Sequence, residues 1–169
     1  DERTMQIYQD FLGGLDEPHL HNLAFSVIEN IATFPDHVTK WARQSRRSTV
    51  GILRVEAGSV PLKILRDLFD REKHGDSQHD SGRSGKAPRL REISRVARMS
   101  TGDVAGSSTM MFLTPQGVVV RPSGGGGVVV IVTGTVLASD DSILGDLYEI
   151  ELAAVDACEE MLQGLTVQG

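Results

Sequence analysis

Apolar positions at the start of the chain recur with a helical period. Met5, Tyr8, Leu12 and Leu15 fall on one helical face, Gly13 and Gly14 weaken the end of that segment, and Asp16, Glu17 and Pro18 supply a fresh helix start. Leu20, Leu23, Ala24, Val27, Ile28 and Ile31 then repeat at steps of three and four residues, which predicts a one-faced amphipathic helix. Phe34 and Pro35 are expected to close it, and Asp36 to cap a short third helix carrying Val38, Trp41 and Ala42 that ends in the basic "RQSRR".

From residue 50 the period changes. Val50, Ile52, Leu53 and Val55, then "AGS", then Val60, Leu62 and Ile64 predict a hairpin turning at Gly58. A short apolar patch at Leu65, Leu68 and Phe69 precedes residues 70–89, which carry almost no large apolar side chain and are rich in Ser, Gly and charge; this composition predicts a mobile loop. Leu90, Ile93, Val96 and Ala97 restore a helical period, "STGDVAGSS" breaks it, and "TMMFLTPQGVVVRP" predicts a second hairpin with Pro115 to Gly117 at its turn. After "SGGGG", the continuous apolar run from Val128 to Val132 predicts a strand buried on both faces that extends to Ala138. "ASDDS" ends the strand and offers acidic caps to a closing helix, along which Ile143, Leu147, Ile150, Ala154, Cys158, Met161 and Leu162 form one stripe.

The expected fold is therefore α/β layered, with a helical extension over residues 1–35 and a domain over 36–169 ordered α-β-β-α-β-β-β-α. In that domain a five-stranded antiparallel sheet is flanked by helices, with the mobile loop at 70–89. This order, with "GILRVEAGSVPLKI", "GVVVRPSGGGGVVVIV" and "SILGDLYEIELAAVDACEEML", resembles the Roadblock family of dynein light chains, whose members include subunits of Ragulator-type scaffolds and Mgl-type GTPase regulators. The resemblance covers about residues 45 to 165. Val50 to Ile64 looks like the family's first hairpin, and Leu144, Gly145 and Leu147 look like the step into its closing helix. The long loop and the N-terminal helices depart from the family pattern. The resemblance implies a non-catalytic, dimerising scaffold or regulatory subunit that pairs with another Roadblock-type chain, identical or not, and holds a small GTPase or a motor or adaptor subunit.

Composition narrows the partner classes. The 169 residues carry a formal charge of −6 and are 40% hydrophobic, a balance that argues for a cored domain and against a nucleic-acid-binding surface. A single cysteine, Cys158, excludes an internal disulfide and fits a reducing compartment. With no apolar run of transmembrane length and no signal-peptide pattern at the start, a cytoplasmic protein is expected, reaching a membrane surface only through its partners.

No catalytic, cofactor or metal site is expected. "SGRSGK", Ser81 to Lys86, departs from the phosphate-loop spacing, because Asp80 stands at its first glycine and Ala87 follows the lysine. "SGGGG" leads into no helix that would present amides to a phosphate. His74, Asp76, His79 and Asp80 have metal-ligand chemistry but lie in the polar loop without rigid support, and His19 and His21 diverge on a helix. Cys158 lies on an apolar stripe among acids, which suits a buried hydrophobe rather than a nucleophile.

The positive charge concentrates at Arg43, Arg46 and Arg47 and at Lys86, Arg89, Arg91, Arg95 and Arg98. The expected partner interface is accordingly the helix face of Ile93, Val96 and Ala97 with Arg95 and Arg98 beside it. Two other classes stay open. One is a structural assembly protein, with "VTGTVLASDDSILGDLYEIEL" as the last strands of a viral jelly roll; strand at Gly145 to Leu152 is its mark. The other is a small-ligand enzyme or sensor on an α/β layer, which needs a pocket with convergent polar groups.

Overall fold

The structure is a computed structural model that describes residues 4–7, 17–75, 82–100, 108–114 and 117–166. In chain order the described elements are β1 (Thr4–Ile7), α1 (Glu17–Gln44), α2 (Val50–Gly58), α3 (Val60–His74), β2 (Arg89–Ser100), β3 (Ser108–Thr114), β4 (Gly117–Ser123), β5 (Gly127–Leu137), β6 (Ile143–Asp146) and α4 (Leu147–Thr166). The α/β class stands as expected. The five-stranded sheet does not: among the described residues one sheet has the order β1-β2-β5-β6, and β3 pairs with β4 alone. No described helix is long and apolar enough to cross a membrane.

The chain divides into two compact units, one of residues 1–21 and 93–133, the other of residues 22–92 and 134–169. In the first unit, β1 pairs antiparallel with the end of β2, with Thr4 opposite Ser100 and Ile7 opposite Ala97. A helix from Met5 is thus replaced at residues 4–7 by a strand, whose backbone bonds go to a partner 90 or more residues away; Tyr8, Leu12 and Leu15 lie outside the described residues. The second predicted hairpin is present as β3 and β4, in register from Ser108 opposite Ser123 to Thr114 opposite Gly117, and its expected turn at Pro115 and Gln116 lies outside the described residues. Gly124 and Gly125, both at positive φ, turn the chain from β4 into β5. The predicted strand at Val128 to Ala138 is β5, but Val129 and Val130 are exposed and burial begins at Ile131. β-Branched side chains favour extended backbone whether or not a layer covers them, so the run reported strand and not cover.

The second unit holds the helices and corrects four expectations. α1 is one continuous helix through Pro35, because Ala24, Ile28, Ala32, Pro35, Val38 and Ala42 share one buried stripe. The packing of that stripe outweighs a helix-interior proline penalty of about 3 kcal/mol, and the Asn30 and Thr33 side chains donate to the Ser26 and Glu29 carbonyls in the turn before it. Residues 50–64 are helical, not a hairpin. Ser59 caps α3 by accepting from the Leu62 amide at 3.3 Å, and Pro61 sits in the first turn, where its missing N–H costs nothing. Leu62, Leu65 and Leu68 are then buried at steps of three. Residues 70–74 of the expected loop continue α3, and 82–88 are ordered turns. The helix expected at Leu90 to Ala97 is strand β2.

The core of this unit is built from Ile28, Ile52, Leu62, Leu65, Leu68, Val136, Leu147 and Met161, and α4 packs on α2 and α3. Arg66, buried on α3, joins α1 to α2: its Nη2 donates to both carboxylate oxygens of Asp36, at 3.1 and 3.0 Å, and its Nη1 donates to Glu56. Burying that guanidinium is tolerable because two carboxylates receive it. At the other end of the unit Arg47 donates to the Leu165 carbonyl at 2.7 Å, in the last turn of α4, with its guanidinium 5.3 Å from the centre of the Trp41 ring.

Candidate docking surface on the closing helix

The strand-to-helix join predicted after "ASDDS" is made by β6 and α4. Antiparallel pairing of Thr135 with Asp146 and of Val136 with Gly145 brings the chain back along β5, and the Asp146 carboxylate accepts from the Tyr148 amide at 2.9 Å, in the first turn of α4. Helix begins at Leu147, so the jelly-roll expectation of strand across Gly145 to Leu152 is met only at its first two residues, and Ile143 belongs to β6 rather than to the helix. Leu147, Ile150, Ala154, Cys158 and Met161 form the buried stripe as predicted, joined by Ala157 and Leu165. Leu162 leaves that stripe; it is exposed.

Leu162 belongs to a second stripe. Tyr148, Leu152, Val155, Glu159 and Leu162 recur at alternating steps of four and three residues along the flank of α4 that adjoins the buried stripe, with Leu152 43%, Val155 38% and Leu162 46% exposed. This is the spacing with which one helix faces another. An apolar stripe of this kind in water is unsatisfied surface, since each methylene withdrawn from water is worth about 0.8 kcal/mol. Glu159 is exposed within the stripe, Asp156 and Glu160 are exposed on the side toward α2, and α4 carries no Lys, Arg or His.

Between α2 and α4 lies an open cleft of about 410 Å³, lined among others by Arg54, Ser59, Asp156 and Glu160 over Gly58 and Ala157. Small residues on the facing helices let it form.

The interface expected on β2 is not a surface. Val96, Ala97 and Arg95 are buried, at 1%, 6% and 7% exposure, and Ile93 and Arg98 are half-buried. The sequence placed these residues on one helical face, whereas a strand sends successive side chains to opposite faces, and here both faces are covered at residues 95–97. The second basic cluster is also dispersed: Arg89 Nη2 donates to the Ala138 and Ser139 carbonyls and, at 2.7 Å, to Asp141, while Lys86 and Arg91 are exposed.

Within "SGRSGK", Gly82 to Lys86 form an amide cradle filled by the chain itself, and Ser81 lies outside the described residues. The Asp67 carboxylate, buried on α3, accepts from the Arg83 amide at 2.7 Å, the Ser84 amide at 2.8 Å and the Ser84 hydroxyl at 2.6 Å. It takes the place that an anion would occupy in a phosphate loop. Of the four residues with metal-ligand chemistry, His74 is exposed at the end of α3, and Asp76, His79 and Asp80 lie outside the described residues. Among the described residues no group of three His, Cys, Asp or Glu side chains is placed to hold a metal ion.

Cys158 is buried among the apolar residues of α4, and burial pushes its thiol up to about 11. Its thiolate fraction at pH 7 is then on the order of one in ten thousand. A disulfide reagent should label it slowly in the native protein and within seconds after unfolding in urea; rapid native labelling would contradict the burial.

Comparison of the chain with protein-family models, curated proteins and solved structures gives no match.

Proposed function

We propose that this chain is a non-catalytic scaffold that works by presenting α4 to another protein. The observation that carries the reading is the second apolar stripe, Leu152, Val155 and Leu162, on a helix whose first stripe already fills the core. Apolar surface on a helix beyond the face that fills the core suits a second layer, which this reading assigns to another protein. Asp156 and Glu160 bound the stripe on one side, and on the other it runs through Leu162 into the buried face.

The finer expectation, a Roadblock-type scaffold that dimerises and holds a small GTPase, is a narrower form of the same proposal. It draws on the step from Leu144 and Gly145 into Leu147 and α4. The other leg of the resemblance, a hairpin at Val50 to Ile64, gives it no support, because those residues are helical.

The reading is tested by comparing the chain with its Leu152→Ser/Leu162→Ser variant as bait in lysate of the source cells. Both side chains are about half exposed, so the variant should stay folded at a cost of about 1–2 kcal/mol. The expected result is a protein retained by the parent and lost by the equally folded variant. Identical retained sets would count against α4 as the docking element.

A further inference from the structure

We infer that the corner between α1 and α2 binds an anionic lipid surface directly. From residue 37 to residue 55 the chain carries Lys40, Arg43, Arg46, Arg47 and Arg54 and no Asp or Glu, within a protein of net charge −6. The two acids that bound this segment, Asp36 and Glu56, are both drawn to the buried guanidinium of Arg66. Arg54 lines the α2–α4 cleft, and the other four cations lie at the corner. Lys40, Arg43 and Arg46 are exposed and make no ion pair among the described residues. Exposed charges more than about 8 Å apart are largely screened at physiological ionic strength, so the acids elsewhere in the chain leave this cluster its own sign.

Apolar side chains stand among these cations. Trp41 is 48%, Val50 70% and Leu53 48% exposed. The Arg47 guanidinium lies 5.3 Å from the centre of the Trp41 ring, and α2 begins three residues later at Val50, with Leu53 one turn on. Arg46 has φ 55°, the backbone setting of a glycine just past a helix end. Glycine would suit that turn better, and what arginine adds there is an exposed charge.

Shape chooses lipid among the anions. Successive helical residues are about 100° apart, so Lys40, Trp41 and Arg43 leave the last turn of α1 in different directions, and the apolar residues come from the end of one helix and the start of the next. A partner helix needs a seam several turns long and an extended peptide needs a strand edge; the corner offers neither. A nucleic acid would use the cations and leave Val50 and Leu53 in water. A fluid bilayer asks only for cations at its phosphates and for an indole and short apolar side chains at the acyl boundary, and the corner supplies both.

The chain's single tryptophan lies in this patch, so its emission reports the contact. The full chain is titrated with vesicles of phosphatidylcholine, with vesicles that also contain phosphatidylserine, and with polyglutamate and duplex DNA at matched charge. The serine-lipid vesicles should shift the emission to the blue and carry the protein down on sedimentation, the neutral ones should do neither, and added salt should release it. At about fivefold for each cation near such a surface, Lys40→Gln/Arg43→Gln/Arg46→Gly should weaken binding on the order of a hundredfold. Val50→Ser/Leu53→Ser should weaken it roughly tenfold and shrink the blue shift. All five positions are exposed, and circular dichroism checks that both variants stay folded. Equal binding to neutral vesicles, no binding to either kind, or either variant binding as the parent does would overturn the inference. Polyglutamate or duplex DNA bound as tightly as the serine-lipid vesicles would overturn it too, because the occupant would then be an acidic protein or a nucleic acid. So would a blue shift that follows protein concentration alone, the mark of a second copy. None of these outcomes touches the α4 reading, since no residue of α4 is changed.

Discussion

Asp67→Ala should lower the stability of the protein by about 2–4 kcal/mol and open the 82–86 loop to trypsin at Arg83. The carboxylate is the common acceptor for two backbone amides and one hydroxyl of that loop, all at 2.8 Å or less. Removing a charged acceptor leaves its donors to find water, which costs about 1–3 kcal/mol for each donor that stays buried; because this loop is partly exposed, the total should fall well short of three full penalties. Asp67→Asn should recover little, since its amide nitrogen would be turned toward at least one of those donors. Gly82→Ala is the complementary change. Gly82 has φ +65°, and a Cβ there would stand 2.5 Å from the Asp67 carboxyl carbon, so the loop could not close over the carboxylate without moving. Both variants should be cleaved faster after Arg83 under native conditions, and denaturant melts should give the loss in free energy. A loop equally resistant in Asp67→Ala would show that something other than this clamp orders it.

Glu151→Gln should stabilise the protein at pH 8 and change little at pH 4.5. Glu151 is buried on α4, and burial, with the Asp146 carboxylate adding like-charge repulsion, raises its pKa from 4.5 to about 7. The folded state therefore holds a proton that the unfolded chain releases at lower pH. Between about pH 4.5 and 7 the native state binds more protons than the unfolded one, and stability falls as pH rises; above 7 the penalty is complete and constant. At 1.36 kcal/mol per pH unit the penalty is about 3 kcal/mol. Glutamine has nearly the same shape and no proton to lose, so the difference between variant and parent should grow from near zero to that value across the window. Urea titrations of both proteins at several pH values measure it, and other titrating groups cancel in the difference. A difference independent of pH would mean that Glu151 ionises as freely in the fold as in the open chain.

The roles of these two side chains are set by tertiary contacts that local sequence does not carry. Asp67 lies just ahead of a segment that composition marks as mobile, and nothing local says that its carboxylate will organise "GRSG" fifteen residues later. The spacing argument against a phosphate loop was legible; the reason its amides are occupied was not. Nothing in the local sequence marks Glu151, whose burial follows from how α4 lies on its neighbours. The α4 docking stripe is half legible, since a single apolar stripe places Leu162 on the buried side and only the packing of α4 leaves Leu152, Val155 and Leu162 exposed. Ser59 and Pro61 were an available signal for a helix start at Val60, because proline fits the first helical turn and disrupts a ladder. The alternating apolar residues around them outweighed it.

By itself the sequence determined the α/β class, the β3–β4 hairpin, the strand at Gly127–Leu137 and the amphipathic closing helix with Cys158 on its inner face. In each case local chemistry and long-range packing agree: β-branched runs favour extended backbone, Gly permits the turns, and one apolar stripe asks for one covering layer. Only the tertiary structure decided whether short apolar segments became helix or strand. Thr4–Ile7 and Arg89–Ser100 are strands because each finds a distant partner for its backbone groups. Val50 to His74 is helical because Ile52, Leu62, Leu65 and Leu68 reach the core that way, and α1 continues through Pro35 because both halves bury the same stripe. For segments this short, intrinsic preference is worth tenths of a kcal/mol per residue whereas burying one large side chain is worth about 1.5–3 kcal/mol, so packing chose.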